Sequence, residues 1–152
     1  MFAHPALIKK ENDGFVVSFP GLSAFSEGDT IEEAFREASD ALETALSVYV
    51  QKRLDLPKPT KVRLRTQPPS GKSFQDGHYL IFPSALGAMK LALYVSMQDQ
   101  GIRKSDLARM LGRTKTEMDR LLDLTHLSRV DQIETALRAL GKRVEIAIRP
   151  AA

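Results

Sequence analysis

Basic and hydroxyl-bearing residues flank Gly112 on both sides, and their types suit recognition of a nucleic acid. The apolar residues on each side of the glycine have the spacing of a short helix. Two short helices that meet at an angle around a glycine form a helix-turn-helix, whose second helix enters the major groove of DNA. The residues expected to pack between these helices are Leu107, Ala108, Met118 and Leu121.

The side chains left on the outside of this motif suit contacts to bases and phosphates. Lys and Arg reach guanine or phosphate, and Thr serves either and also contacts the thymine methyl group. His126 and Arg129 follow the second helix, and they could either contact phosphates or simply be exposed on the surface. The predicted DNA contacts are Arg103, Lys104, Thr114, Lys115, Thr116, Asp119, Arg120, His126 and Arg129. The alternative to DNA binding is a helical hairpin with a solvated basic face.

The charges of the chain are divided unevenly between its halves. The 152 residues include 22 Lys and Arg and 19 Asp and Glu, a net charge of +3. Residues 1–57 hold 5 Lys or Arg against 10 Asp or Glu, whereas residues 58–152 hold 17 against 9. An acidic half joined to a basic half favours two partners of opposite charge, although chance scatter of surface charges would give the same count.

The composition excludes several classes of protein. The chain has no Cys, which excludes a disulfide framework, a thiolate metal site and a Cys nucleophile. No run of about 18 apolar residues exists that could span a bilayer. The N-terminal stretch lacks the continuous apolar core of a signal peptide, so we expect a cytoplasmic protein without a membrane segment.

The first half of the sequence predicts strands around one helix. The turn-forming pair Asp13-Gly14 predicts a β-hairpin, whose second strand alternates buried and exposed positions. Thr30 and Glu33 have the spacing of a capping box and open an amphipathic helix of roughly 20 residues. The helix should stop before Pro57.

The rest of the chain is predicted to hold three more strand segments and a set of helices. Residues 78–82 are one of these strand candidates, closed by Pro83. Residues 60–66 alternate polar and apolar and predict an edge strand, and residues 67–77 have the composition of a linker. A second alternating segment, 143–149, predicts a C-terminal strand. The helices between them are expected from Ser84 to Gly101 and over 104–111, 114–122 and 130–140.

The order of short motifs along the chain resembles the HicB family of antitoxins from bacterial type II toxin–antitoxin systems, in its helix-turn-helix variant. In the first half the resemblance rests on residues 14–20 (GFVVSFP), 28–34 (GDTIEEA) and 56–59 (LPKP). In the second half it rests on residues 106–112 (DLARMLG) and 117–121 (EMDRL). Together these matches cover nearly the full length.

The resemblance implies an α+β protein with two functional halves. The N-terminal half would be a partial RNase H-like βββαβ domain, residues 1–66, that binds and neutralises a HicA-type toxin, a small basic ribonuclease that cleaves mRNA. Residues 78–152 would form the helix-turn-helix domain that binds operator DNA in the promoter of the chain's own operon. In the acidic half we nominate Phe25, Glu27 and Asp29 as toxin contacts, since charge complementarity speeds association and apolar contacts slow dissociation. A purely local role for Asp29, assisting the helix cap, is an equal alternative.

A lone helix-turn-helix reads only a few base pairs, so specific binding usually requires two copies. We therefore expect a homodimer or a higher homo-oligomer. The strand at 143–149 could pair with its copy from a second subunit, or it could join the chain's own sheet.

Two other classes of function are alternatives to the antitoxin. An RNase H-like nuclease would hold metal ions between clustered carboxylates, but none of the acidic candidates falls at an interior strand position that faces the others. We therefore expect no enzymatic activity, no metal and no cofactor. The second alternative is a ligand-sensing helix-turn-helix repressor without a toxin partner. The carboxylates considered were Asp13, Glu27, Asp29, Asp40 and Glu43.

Overall fold

The chain folds as a four-stranded antiparallel sheet followed by a set of helices, and the computed structural model describes residues 2–65 and 73–149. The sheet has the strand order β3-β2-β1-β4. This arrangement confirms the α+β class. The elements are β1 (His4–Glu11), β2 (Gly14–Ser18), β3 (Phe25–Gly28), α1 (Ile31–Lys52), β4 (Gly77–Ile81), α2 (Ala85–Asp99), α3 (Lys104–Leu111), α4 (Lys115–Leu122) and α5 (Val130–Ala139).

The β1–β2 hairpin lies where the sequence predicts it. Glu11 pairs with Gly14 across a two-residue turn, in which Asn12 has a φ of 53°. Asn tolerates this left-handed conformation better than most residues, which is why an Asn-Asp pair closes the hairpin. Ile8 and Val17, which are register partners, are buried against the core.

The fourth strand of the sheet is the predicted strand at 78–82, and not the segment predicted at 60–66. Residues 60–65 form no strand and contribute a single bridge, Leu64 to His78; residue 66 lies outside the described residues. Instead, β4 pairs with β1 in antiparallel orientation. In this register Gly77 lies opposite Ile8, and Ile81 lies opposite His4. Burial explains the choice, because β4 places Tyr79 and Ile81 in the core, whereas Leu64 is exposed.

The position of β4 also changes the boundary between the halves. The sequence predicts residues 78–152 as the C-terminal domain, but residues 78–81 pair with β1 in the N-terminal sheet. Of the predicted linker, residues 67–72 lie outside the described residues. After them, Phe74 packs edge-on against Phe15, with ring centroids 5.0 Å apart. The chain therefore contacts the sheet through Phe74 before β4 begins.

Helix α1 covers one face of the sheet and begins at the predicted cap. Thr30 Oγ1 accepts a hydrogen bond from the Glu33 backbone N–H at 3.2 Å. The Glu33 carboxylate accepts from the Asp29 N–H rather than from that of Thr30. The buried stripe of the helix includes Ala38 and Leu42. The helix ends at Lys52, within the predicted limit.

The predicted helices of the second half are all present. Ser84 caps α2 by accepting a hydrogen bond from the Gly87 N–H at 3.0 Å. Gly112 ends α3 with a φ of 62°, the left-handed conformation that suits glycine. No helix in the described part of the chain is both long enough and apolar enough to cross a membrane.

The predicted C-terminal strand is absent. Residues 142–149 have no regular secondary structure, although Val144 packs against the core. Ile146 and Ile148 are 76% and 90% exposed. A strand exists only when a neighbour completes its hydrogen-bonded ladder, and no strand of the described chain pairs with this segment.

Candidate functional site

Helices α3 and α4 pack together around a small apolar core. Leu107 and Met118 are almost fully buried, and Ala108 and Leu121 are buried as well. These are the four residues that the sequence predicted between the helices. The short connection after Gly112 turns the chain, and the Arg113 N–H donates to the Ala108 carbonyl at 2.8 Å. The two helices therefore present their polar faces outward from a fixed junction.

The start of α4 is held by a reciprocal pair of caps. Thr114 Oγ1 accepts from the Glu117 N–H at 3.2 Å, and Glu117 Oε2 accepts from the Thr114 N–H at 2.7 Å. The Thr114 N–H and the Thr114 hydroxyl both donate to Glu117 Oε2, and these two hydrogen bonds, with the charge of Arg113 nearby, lower the pKa of Glu117 below its ordinary value. Thr114, predicted as a DNA contact, therefore has a structural role in this arrangement.

The outer face of α4 carries the polar residues that the sequence nominated. Lys115, Thr116 and Arg120 are exposed. Asp119 is exposed too, but its Oδ1 lies 2.7 Å from the Nζ of Lys104 on α3. Two nominated residues thus partner each other across the helix pair, and the others face solvent.

A cleft of about 380 Å³ lies between α4 and α5. Three nominated residues line it: Arg120, His126 and Arg129. Arg129 also pairs with Asp131 at 2.8 Å. The structure therefore brings these three side chains around one concave surface. Arg103 is exposed at the start of α3 and does not line this cleft.

Lys90 is the residue that sequence reasoning missed. It lies on α2, is only 1% exposed, and its Nζ donates to the backbone carbonyls of Arg120, Asp123 and His126. Burial lowers the pKa of Lys90, and the negative charges of Asp123 and Glu43 partly oppose that change. One signal was available, since Lys90 is the single charged residue of α2 before the last position of that helix.

The loop that joins α4 to α5, residues 123–129, begins with its own small network. The hydroxyl and the backbone N–H of Thr125 donate to Asp123 Oδ1 at 2.7 and 2.9 Å. These hydrogen bonds, mainly that of the hydroxyl, lower the pKa of Asp123, and nearby Lys90 adds to the effect. The loop therefore starts in a defined conformation at neutral pH.

The residues nominated for the acidic half lie on or beside an edge strand. Strand β3 has β2 on one side only. Phe25 is 76% exposed, and Glu27, two residues further along the same strand, is exposed as well. Asp29 is exposed just after the strand, and its N–H takes part in the α1 cap. β3 therefore offers an aromatic ring and carboxylates on an open edge of the sheet.

Gly28 ends β3 because the strand comes very close to α1. A Cβ at Gly28 would lie 2.5 Å from the Ala34 backbone nitrogen and 2.8 Å from its Cα. A side chain there would collide with the helix backbone, which cannot move easily. The glycine of the GDTIEEA motif thus serves packing between the strand and the helix.

The carboxylates considered for metal chemistry are dispersed. No three His, Cys, Asp or Glu side chains of residues 2–65 and 73–149 lie together in a way that could hold a metal ion. Glu43, one of the candidates, instead accepts a hydrogen bond from the Ser84 N–H at the start of α2, at 2.5 Å. It joins α1 to α2 and has a structural role.

Comparison with known proteins identifies the class. The sequence model of a family described as HicB_like antitoxin of bacterial toxin-antitoxin system matches residues 3–92. This segment spans the whole sheet, α1 and the first half of α2, so the match includes β4 as well as the first three strands.

Full-length relatives extend the match to the remaining helices. The antitoxin HicB of Pseudomonas fluorescens (strain Pf0-1) is 36% identical over 124 residues, which cover 82% of this chain and 77% of that protein. Antitoxin HicB 2 of Photorhabdus laumondii is 33% identical over 144 residues, 94% of each chain. The antitoxin HicB of Escherichia coli K12 is 30% identical over 134 residues, 88% of each chain.

The chain belongs to the HicB-like family of antitoxins. Membership supports an antitoxin role and implies a toxin partner. It confirms the family that the sequence motifs indicated.

Proposed function

We propose that this chain is an antitoxin that neutralises a HicA-type mRNA-cleaving toxin and represses its own operon by binding promoter DNA. Both activities would take place in the cytoplasm. The N-terminal sheet would be the partial RNase H-like domain that the family resemblance implies. The observation that carries the proposal is the separation of two exposed polar surfaces, one on β3 and one on α4, within a chain of this family.

The toxin would dock on the open edge of β3. Phe25 supplies an exposed apolar anchor, which would slow dissociation from the toxin. Glu27 and Asp29 supply negative charge beside it, which would speed association with a basic ribonuclease. The edge of β3 away from β2 adds backbone groups that no strand formed by residues 2–65 and 73–149 pairs with.

The DNA would meet α4 and the cleft beside it. Lys115 and Thr116, at the exposed start of α4, would reach base edges. Arg120, His126 and Arg129 would contact phosphates from the cleft. Lys104 would contribute a phosphate contact through its partly exposed ammonium, which is also paired with Asp119.

Homodimerisation would complete the DNA-binding unit. The alternating segment 143–149 would pair with its copy from a second subunit. The exposure of Ile146 and Ile148 in a single chain supports this pairing, which would cover both side chains. Light scattering of the full chain should then give the mass of a dimer or a larger assembly. A mass of one chain at micromolar concentration would contradict this part.

Two experiments test the two activities separately. The product of the gene beside this chain's own gene should co-purify with the chain, and expression of the chain should restore growth to cells poisoned by that product. In a gel-shift assay, the chain should bind the DNA upstream of its own gene more tightly than an unrelated duplex of equal length. Absence of co-purification and rescue would refute the first activity, and equal affinity for the two duplexes would refute the second.

A further inference from the structure

We propose that Lys90 is a positioning residue for the DNA-binding surface: it fixes the end of α4 and the loop of residues 123–129 through three backbone carbonyls. This inference rests on the proposed DNA binding of α4. Lys90 contacts no DNA itself, because its side chain is buried behind the helix. It would act through the positions of Arg120 and His126.

The geometry of the Lys90 ammonium is that of a clamp. Its Nζ lies 3.0 Å from the Arg120 carbonyl oxygen, 2.6 Å from that of Asp123 and 2.6 Å from that of His126. Three acceptors require three N–H donors, which an ammonium has and a neutral amine lacks. The side chain therefore holds its charged form in a buried site, with every donor used.

The three carbonyls lie in the last turn of α4 and in the loop that follows it. The last carbonyls of a helix have no partner within it and carry the negative end of its dipole. Arg120 lies in the last turn of α4, and Asp123 and His126 follow in the loop. The Arg120 carbonyl also accepts from the Asp123 N–H at 3.3 Å, and the Asp123 carbonyl from the His126 N–H at 3.1 Å. The ammonium adds a charge-assisted hydrogen bond to each of the three carbonyls and so links the loop to the end of α4.

The clamp is anchored to the rest of the molecule by α2. Glu43 on α1 accepts from the Ser84 N–H at the start of α2. Further along α2, the Tyr94 hydroxyl donates to the Leu54 carbonyl at 2.6 Å, just past the end of α1. Since α2 is fixed against α1 at both places, Lys90 sets α4 and its loop relative to a rigid support.

Core packing alone does not account for a lysine at this position. A Met or Leu would fill the same volume, and burying a charge costs free energy that an apolar side chain avoids. What only the ammonium supplies is a link between α2 and three carbonyls from α4 and the loop. Two of those carbonyls belong to Arg120 and His126, whose side chains are proposed to contact phosphates. Ser128 Oγ also donates to the Arg120 carbonyl at 3.2 Å and adds a second link between the loop and α4.

The test uses the full chain with Lys90→Met, which keeps the length of the side chain and removes its donors. We expect backbone amides of residues 123–128 to exchange with solvent about tenfold faster or more, while amides of β1 and α1 change little. Affinity for the DNA upstream of the chain's own gene should fall about tenfold or more. Lys58→Met, which removes an exposed lysine far from the loop in sequence, is the matched control and should leave amide exchange unchanged.

Three outcomes separate this inference from the proposed function. Unchanged exchange at residues 123–128 in Lys90→Met would overturn it, whatever happens to DNA affinity. Faster exchange spread evenly over the whole chain would also overturn it, because that result marks a general loss of stability. If the wild-type chain binds no DNA at all, the proposed function fails, whereas the exchange experiment still decides whether Lys90 orders the loop.

A measurement on the wild-type chain covers the case in which Lys90→Met does not fold. A buried ammonium with three hydrogen bonds exchanges its protons slowly, so its ¹⁵N–¹H signal should be visible at neutral pH, with couplings to the carbonyl carbons of Arg120, Asp123 and His126. Ammonium groups of exposed lysines exchange too fast to be seen. Absence of such a protected signal would overturn the proposal.

Discussion

The Nζ of Lys104 on α3 and the Oδ1 of Asp119 on α4 lie 2.7 Å apart and join the two helices that carry the proposed DNA contacts. Both residues were predicted to face DNA. The Lys104 side chain is 26% exposed and that of Asp119 is 50% exposed, so the pair is partly screened by solvent. Part of the positive charge at this surface is therefore already neutralised within the chain.

Asp119→Asn should strengthen binding to DNA. The substitution removes a negative charge from the exposed face of α4 and releases the Lys104 ammonium for a phosphate. We expect about threefold tighter binding to an unrelated duplex at low salt, and a loss of unfolding free energy of about 0.5 kcal/mol. Fluorescence anisotropy and urea denaturation measure the two effects. Weaker binding to every duplex would show that Asp119 itself contributes to the contact.

Lys115→Ala combined with Arg120→Ala should abolish specific DNA binding. Both side chains are exposed on or beside the surface of α4 that would face the groove, and alanine keeps the Arg120 carbonyl that Lys90 holds. Loss of two such contacts should lower the affinity about 100-fold. The slope of log affinity against log salt concentration should become shallower by about two, since about two fewer ions are released on binding. Gel shifts over a salt series measure this.

The toxin-binding activity supplies the internal control for that double variant. Because both substitutions are exposed and distant in sequence from β3, rescue of growth and the thermal midpoint should stay close to wild type. Arg36→Ala with Lys52→Ala removes two exposed cations from α1 and should leave DNA specificity intact. Unchanged DNA binding by the first pair would contradict the assignment of α4.

Phe25→Ser should weaken toxin binding without weakening the fold. The ring is 76% exposed, so its removal should change the free energy of unfolding by about 0.5 kcal/mol or less. An aromatic anchor at an interface is worth enough to raise the Kd about tenfold or more. Titration calorimetry with the purified toxin measures the change. Leu127→Ala removes a side chain that is 88% exposed elsewhere, and equal loss in that variant would contradict a role for β3.

Gly28→Ala should destabilise the N-terminal sheet. The added Cβ would meet the backbone of Ala34 at 2.5 Å, so β3 must move away from α1. We expect a loss of about 2–3 kcal/mol in the free energy of unfolding, measured by urea denaturation. Gly101→Ala is the matched control, since a Cβ there meets nothing within 4 Å and costs only the strain of a φ of 64°. A smaller loss at Gly28 than at Gly101 would refute the packing argument.

The cap of α4 should weaken in acid. The pKa of Glu117 is lower in the folded chain than its ordinary value of 4.5, so the carboxylate stabilises the fold fully above pH 4.5. This contribution is lost as the pH falls below 4.5 and through the folded pKa. NMR titration of the side-chain carboxyl and amide exchange at the start of α4 measure it. Glu117→Gln should remove the pH dependence, and an unchanged dependence in that variant would assign it to another group.

Local patterns predicted most of the helices and the hairpin. Thr30, Thr114 and Gly112 each act within one turn of the backbone, so the sequence carries their signal in a few adjacent residues. The burial of Met118 follows from the same helical periodicity. These features need no information about distant parts of the chain.

The features that were missed depend on partners far away in sequence. The sequence predicts strands at both 60–66 and 78–82, but only the second pairs with β1, because it buries Tyr79 and Ile81. Lys90 looks like an interruption in an apolar helix until the carbonyls around residue 123 are brought to it. Pattern alone cannot supply either relationship, since both join segments dozens of residues apart.

The pairing of β1 with β4 has a consequence for synthesis of the chain on the ribosome. It joins residue 4 to residue 81, so the first strand emerges long before its last neighbour is made. At roughly 5–20 residues per second, β1 keeps one open edge for several seconds during translation. A nascent chain interrupted before residue 81 would expose that edge to proteases and aggregation, and would deliver α1 and β3 without a completed sheet behind them.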